Sequence, residues 1–96
     1  MYMKASQASE VTRFEDIPNI GRQMAADFKA LGLRGPEDLT GKDAFALYQK
    51  RCRQTGTRQD PCVLDTYLAA VDFMNGAPVR PWWAYTAERK RAYPDL

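Results

Sequence analysis

The sequence predicts an all-α protein with roughly four to six helices packed into one compact domain. Three runs of residues carry apolar side chains at helical spacing, and the glycines and prolines fall between these runs rather than inside them. No stretch shows the period-two alternation of a half-buried strand. Since 96 residues are too few to fill two cores, we expect a single domain over residues 11–93, preceded by a flexible segment over residues 1–10.

The first two predicted helices are bounded by recognisable start and stop residues. The first spans residues 21–31, and Gly32 follows it as a residue that can adopt the left-handed conformation of a helix end. The second spans residues 41–53, with Thr40 as its N-cap and the carboxylate of Asp43 in its first turn. The apolar positions are Met24, Ala25, Phe28 and Leu31 in the first helix, and Phe45, Tyr48 and Cys52 in the second.

A third run, over residues 61–74, has the broadest apolar stripe and is expected to be the central core helix. Asp60 is its N-cap, and Pro61 suits its first turn. Beyond it the chain is expected to be extended over residues 78–83 and then to form a short basic helix over about residues 83–91. Five apolar residues of the predicted helices are expected to form one contiguous core: Phe28, Phe45, Tyr67, Leu68 and Val71.

The net charge of +2 is small for a nucleic-acid-binding protein, but it is unevenly distributed along the chain. Residues 1–48 carry six basic and seven acidic side chains, whereas residues 49–96 carry eight basic and five acidic ones. An anionic partner would meet the basic residues of two groups. These are Lys50, Arg51, Arg53 and Arg58 in one group, and Arg89, Lys90 and Arg91 in the other. Ordinary solvated helix ends are the alternative interpretation.

Several classes of protein are not supported by the residues. The first ten residues have no apolar core of a signal peptide, and no apolar run is long enough to span a membrane, so a cytoplasmic location is expected. The chain has no histidine, and Cys52 and Cys62 are too far apart for a redox pair, so no metal and no cofactor are expected. In a reducing compartment the two cysteines would be free thiols, one or both of them buried.

Catalysis is not predicted either, because no nucleophile and base occur at a suitable spacing. The acidic pairs at positions 15–16 and 37–38 lie at predicted helix starts, where negative charge is favoured by the helix dipole alone. We therefore expect a binding module, with no small-molecule substrate evident.

The most informative segment is residues 14–28, which contains a tight turn between two apolar stretches. Asn19 suits the position of positive φ, because asparagine tolerates the left-handed region better than other residues that carry a Cβ. Ile20 is the apolar plug of the turn, and Gly21 follows where the backbone would pass closest to a partner. The segment resembles the helix-hairpin-helix signature, and residues 31–39 resemble its usual continuation, so the motif is predicted over residues 14–39 of a fold similar to SAM domains.

A broader resemblance covers residues 14–91. The stretches at 17–21, 60–65 and 81–86 are similar to the pathogenicity-locus family of small bacterial proteins, often labelled mitomycin-resistance proteins, and more distantly to the C-terminal domain of TfoX. This resemblance implies the helical fold but no catalytic residue. Related hairpins also bind a monovalent cation through turn carbonyls, which here would be the main-chain oxygens of residues 15, 17 and 20.

The motif indicates weak, sequence-independent binding of duplex DNA. In such a hairpin the unpaired N–H groups at the start of the second helix hold a phosphate without reading a base. The predicted contact residues are Asn19, Ile20, Gly21, Arg22 and Gln23. The alternative is a protein-interaction module that keeps the same fold as a scaffold. Trp82 and Trp83 are likewise either a stacking platform for bases or a seal on the small core.

Overall fold

The computed structural model describes residues 3–96. Over this range the chain forms four α-helices and four short 3₁₀ helices, and no strand. The α-helices are α1 (Arg22–Ala30), α2 (Ala44–Thr55), α3 (Pro61–Met74) and α4 (Thr86–Ala92). The 3₁₀ helices are Ala8–Glu10, Phe14–Asp16, Pro36–Leu39 and Trp82–Tyr85. The all-α prediction is confirmed. None of these helices combines the length and the apolar character that crossing a bilayer requires.

Helix α3 is the centre of the molecule, as its composition predicts. Asp60 caps its start by accepting a hydrogen bond from the Cys62 N–H at 2.8 Å, and Pro61 occupies the first turn. The helix packs against α2, α4 and the 3₁₀ helices at Pro36–Leu39 and Trp82–Tyr85. Helix α1 meets α3 through side chains: the Phe28 and Tyr67 rings lie 5.2 Å apart, and the Tyr67 hydroxyl donates to the Asp27 carboxylate at 3.4 Å.

The core differs from the expected one in two of its five residues. Phe28, Tyr67 and Val71 are buried, whereas Leu68 and Phe45 are only half-buried at its margin. Leu64 is fully buried instead, because it lies one turn before Tyr67 on the inner face of α3. The apolar stripe on α3 is wide enough to allow several orientations of the helix against the core. Packing against the neighbouring elements buries the side chains at positions 64, 67 and 71.

The start of α2 also differs from the expected one. The helix begins at Ala44, and its N-cap is Asp43, whose carboxylate accepts from the N–H groups of Phe45 (2.9 Å) and Ala46 (3.4 Å). Thr40 instead ends the preceding 3₁₀ helix, where its N–H donates to the Glu37 oxygen. An aspartate is at least as good an N-cap as a threonine, so the later start keeps a strong cap.

A buried ion pair joins α4 to α3, which the charge pattern did not predict. Asp65 on α3 is fully buried, and its carboxylate accepts from Arg89 Nε at 2.9 Å, from a second Arg89 nitrogen at 3.2 Å and from the Thr86 hydroxyl at 2.8 Å. The hydrogen bond to Asp65 raises the pKa of Arg89, against the opposing effect of burial. Placing Arg89 in an exposed basic group is therefore wrong.

Candidate nucleic-acid interface

The turn at residues 17–21, called the 17–21 turn below, connects the 3₁₀ helix Phe14–Asp16 to α1. The side chains of Ile17 and Ile20 are fully buried, and the Ile20 N–H donates to the Ile17 oxygen at 3.1 Å. Asn19, between them, has a φ of 75°, as its position in the pattern predicts. Two buried apolar side chains thus fix the turn on the core and set the direction in which α1 starts.

Asn19 also makes two hydrogen bonds through its side chain. Its side-chain amide nitrogen donates to the Arg80 oxygen at 2.9 Å, and its side-chain oxygen accepts from the Trp82 N–H at 3.3 Å. Glycine at this position would supply the backbone conformation but neither hydrogen bond. The side chain of Asn19 therefore ties the turn to the residues around Arg80 and Trp82 and is occupied within the fold. The predicted extended segment ends earlier than expected, because residues 82–85 form a 3₁₀ helix and α4 begins only at Thr86.

Gly21 is exposed and is the N-cap of α1. Its φ of −97° lies in the extended region that any residue can adopt. A Cβ built on it would have no heavy atom within 4 Å. Neither the backbone conformation nor the packing of this chain requires glycine at position 21, and the backbone there is open to the outside.

The start of α1 differs from the starts of α2 and α3. Those two helices are capped by the carboxylates of Asp43 and Asp60, whereas Gly21 supplies no side-chain cap and the first turn of α1 holds no acidic residue. Arg22 and Gln23 are exposed, although the Gln23 amide reaches Asp27 at 3.4 Å. The first N–H groups of a helix have no intrahelical partner. At the start of α1, these N–H groups lie beside the exposed side chain of Arg22.

An ammonium group lies at the turn carbonyls. Lys4 Nζ donates hydrogen bonds to the main-chain oxygens of Glu15 and Ile20, two of the three oxygens that the family resemblance assigned to a monovalent cation. The third, Ile17, accepts from the Ile20 N–H. Lys4 therefore reaches the turn, and the Ala5 N–H donates to the Asp16 oxygen just before it, at 2.8 Å. Residues 1 and 2 of the segment expected to be flexible lie outside the described residues.

Several members of the two predicted basic groups make contacts within the fold. Lys50 Nζ donates to the Leu31 oxygen at 3.0 Å and so caps the C-terminal end of α1, and Arg51 pairs with the buried Asp27 at 3.2 Å. Arg89 is buried with Asp65, as described above. Lys50 is nevertheless exposed, as are Arg53, Arg58, Lys90 and Arg91.

The two tryptophans are not equivalent. Trp82 is half-buried, whereas the side chain of Trp83 is 63% exposed. Their rings meet edge to face, with centroids 5.7 Å apart. Val79, which lies just before the 3₁₀ helix Trp82–Tyr85, is 52% exposed. Among the described residues, neither tryptophan belongs to the core cluster or to the side chains packed against it, and Trp83 is available to a partner.

The remaining candidate groups have structural roles. The Asp16 carboxylate accepts from the N–H groups of Thr12 and Arg13 at 2.9 and 3.1 Å, and Asp38 accepts from the Arg34 N–H at 2.7 Å, so acidic residues cap both short helices. Cys52 and Cys62 are free thiols, but the expectation that at least one is buried is wrong, because Cys52 is half-buried and Cys62 is exposed. Within residues 3–96 no three metal-ligating side chains are grouped.

Fold and site together define a small all-helical protein with an open helix start beside a tight turn. The chain belongs to the family described as Pathogenicity locus, whose model matches residues 7–91. It is similar to the "Mitomycin resistance protein McrB" of Streptomyces lavendulae, with 42% identity over 89 residues. The aligned region covers 93% of this chain and 82% of that protein. No solved structure matches the chain.

Proposed function

We propose that this protein is a non-enzymatic module that binds duplex DNA through the phosphate backbone, without sequence preference, at the start of α1. The proposal rests on the environment of Gly21. This residue is exposed, and neither its backbone conformation nor its packing requires a glycine at this position. A glycine at such a position is explained when another backbone must approach closely. The uncapped N–H groups that follow would then donate to a phosphate.

Charge at this point favours an anion. The positive end of the α1 dipole is not neutralised by a capping carboxylate, and Arg22 adds an exposed guanidinium. A single turn with one arginine and a few flanking basic residues neutralises only about two to four phosphates. We therefore expect weak binding, with a dissociation constant on the order of 10⁻⁴ to 10⁻⁶ M at physiological salt.

The relative from Streptomyces lavendulae is named for resistance to mitomycin. The identity of 42% over most of both chains supports a stress-resistance role for this protein as well. Backbone binding without base recognition would suit a protein that acts on DNA at any sequence.

Fluorescence anisotropy with labelled duplexes of two unrelated sequences tests the proposal. The slope of log K against log salt should be about −2 to −4, and it should be equal for both sequences. Arg22→Glu and Gly21→Val should each weaken binding to both duplexes, the second because its side chain fills the space above the backbone. Arg53→Glu, at an exposed site on α2, is the control for charge and should have a smaller effect.

Two results would contradict the proposal. No binding at low salt with protein near a millimolar would exclude DNA as the partner, and an equal loss for Arg53→Glu and Arg22→Glu would place the contact elsewhere. The exposed Trp83 and Val79 favour the second candidate, a protein-interaction module, because exposed aromatic residues anchor protein interfaces. Loss of a partner with Trp83→Ala, but not with Arg22→Glu, would support that candidate.

A further inference from the structure

The exposed Trp83 is connected to the 17–21 turn through the hydrogen bonds of Asn19. The Asn19 side chain accepts from the N–H of Trp82, the neighbour of Trp83, at 3.3 Å, and it donates to the Arg80 oxygen at 2.9 Å. Gly21, at the start of α1, is two residues beyond Asn19. These links limit the distance between the Cα atoms of Gly21 and Trp83 to at most about 20 Å. The exposed ring and the open helix start are therefore neighbours in one part of the molecule.

The ring of Trp83 belongs to a fixed part of the fold and keeps a face that its neighbour does not cover. The 3₁₀ helix Trp82–Tyr85 packs against α3, and the Ala84 N–H closes its start by donating to the Pro81 oxygen at 3.0 Å. The Trp82 and Trp83 rings meet edge to face at an interplanar angle of 87°. In this geometry each ring has at least one face that the other does not touch. A flat group can therefore stack on Trp83 without a rearrangement of the backbone.

The size and chemistry of this patch fit a nucleobase. Val79 is the other large apolar side chain of this segment that is mostly exposed, whereas a standard protein interface uses about 20 to 30 residues on each side. Every base has a π face, so stacking on an aromatic side chain holds a strand without reading its sequence. In continuous duplex DNA the bases stack on each other, and a base becomes accessible where it is unpaired or extruded. Trp83 would therefore act next to a duplex rather than along it.

We propose that Trp83 stacks on an unpaired nucleobase, and that the preferred ligand of this protein is duplex DNA interrupted by a single-stranded stretch. The inference rests on the proposed function, because Gly21 and Arg22 supply the phosphate contact on the duplex side. A strand of about six nucleotides, at about 3.4 Å per nucleotide, spans the distance between that contact and Trp83. The base contact and the phosphate contact can therefore be made by one DNA molecule.

Fluorescence anisotropy with three DNA molecules of equal length tests this inference. The first is a continuous duplex, the second has a gap of six unpaired thymidines, and the third has a gap of six abasic nucleotides, which keep the phosphates but lack the bases. The unmodified protein should bind the thymidine gap about 5- to 150-fold more tightly than the abasic gap, which is the effect of one stacked base. Trp83→Ala should abolish this difference without changing the affinity for the continuous duplex. Trp83→Phe, which keeps a ring, should retain most of the difference, and the matched control Val79→Ala should leave it unchanged.

The results separate this inference from the proposed function. Equal affinity of the unmodified protein for the two gaps, or a difference that persists in Trp83→Ala, would overturn stacking and leave the ring to a protein partner. The phosphate contact would still stand if Arg22→Glu weakened binding to the continuous duplex. Conversely, a difference that depends on Trp83, together with no effect of Arg22→Glu on any of the three DNA molecules, would support stacking and overturn the phosphate contact at α1.

If Trp83→Ala does not fold, the fluorescence of the unmodified protein decides, because stacking on a base quenches the emission of an indole. Quenching by the thymidine gap that clearly exceeds quenching by the abasic gap would support the inference. Equal quenching by the two gaps would overturn it.

Discussion

The buried pair of Asp65 and Arg89 gives the largest predicted change in stability. Asp65 is fully buried and Arg89 is 6% exposed, and their side chains are joined by two hydrogen bonds. Arg89→Met would leave the carboxylate buried with only the Thr86 hydroxyl as a side-chain partner. Removing one member of such a pair costs about 3 to 5 kcal/mol. Total stability for a chain of this size is about 5 to 15 kcal/mol, so the loss is a large fraction of it.

Urea unfolding followed by circular dichroism measures this loss. The matched control is Glu88→Gln, which breaks the surface pair between Arg80 and Glu88, 3.5 Å apart and well exposed. That change should cost less than about 1 kcal/mol. Replacing both buried partners with apolar residues should restore much of the stability that Arg89→Met removes, because no uncompensated charge then remains. A loss below about 0.5 kcal/mol for Arg89→Met would refute the reasoning, since it would mean that water reaches the carboxylate.

Three further predictions concern the core, the turn and the response to alkali. Leu64→Ala should cost about 2 to 5 kcal/mol in denaturant unfolding, and Leu68→Ala, at a half-buried position, should cost clearly less. Equal losses would contradict the observed difference in burial. Asn19→Gly keeps the positive φ but removes two hydrogen bonds. Urea unfolding should therefore show a free energy of unfolding lower by about 1 to 2 kcal/mol. An unchanged value would mean that the Asn19 side chain does not stabilise the fold. Burial, followed by the hydrogen bond to Asp72, raises the pKa of Tyr85 from 10.0 to about 12. The protonated phenol is thus favoured in the folded state, and its contribution to stability, complete below pH 10, is lost as the pH rises through about 12. Unfolding measured across this range should show a shallower decline for Tyr85→Phe than for the unmodified protein, and an unchanged decline would place the titration elsewhere.

The sequence by itself determined the helices and most of their ends, because these depend on residues only a few positions apart. Gly32 ends α1 with a φ of 91°, and Asp60 with Pro61 starts α3, both as predicted. Asn19 adopts the positive φ that its place in the pattern requires. Each of these outcomes follows from local backbone chemistry, which a single window of sequence contains. The pattern placed Gly21 where the backbone would pass closest to a partner; the space around it is open, and the contact itself stays a prediction.

The tertiary structure alone decided which side chains are used inside the fold. Asn19 binds a segment sixty-one positions away at Arg80, Lys4 reaches Ile20, and Arg89 reaches Asp65. Charge counts along the sequence cannot distinguish a lysine that caps a neighbouring helix from one that faces solvent, since both have the same composition. Leu64 is fully buried and Leu68 only half-buried for the same reason: the stripe on α3 contains both, and only packing against the other helices decides how deeply each is buried.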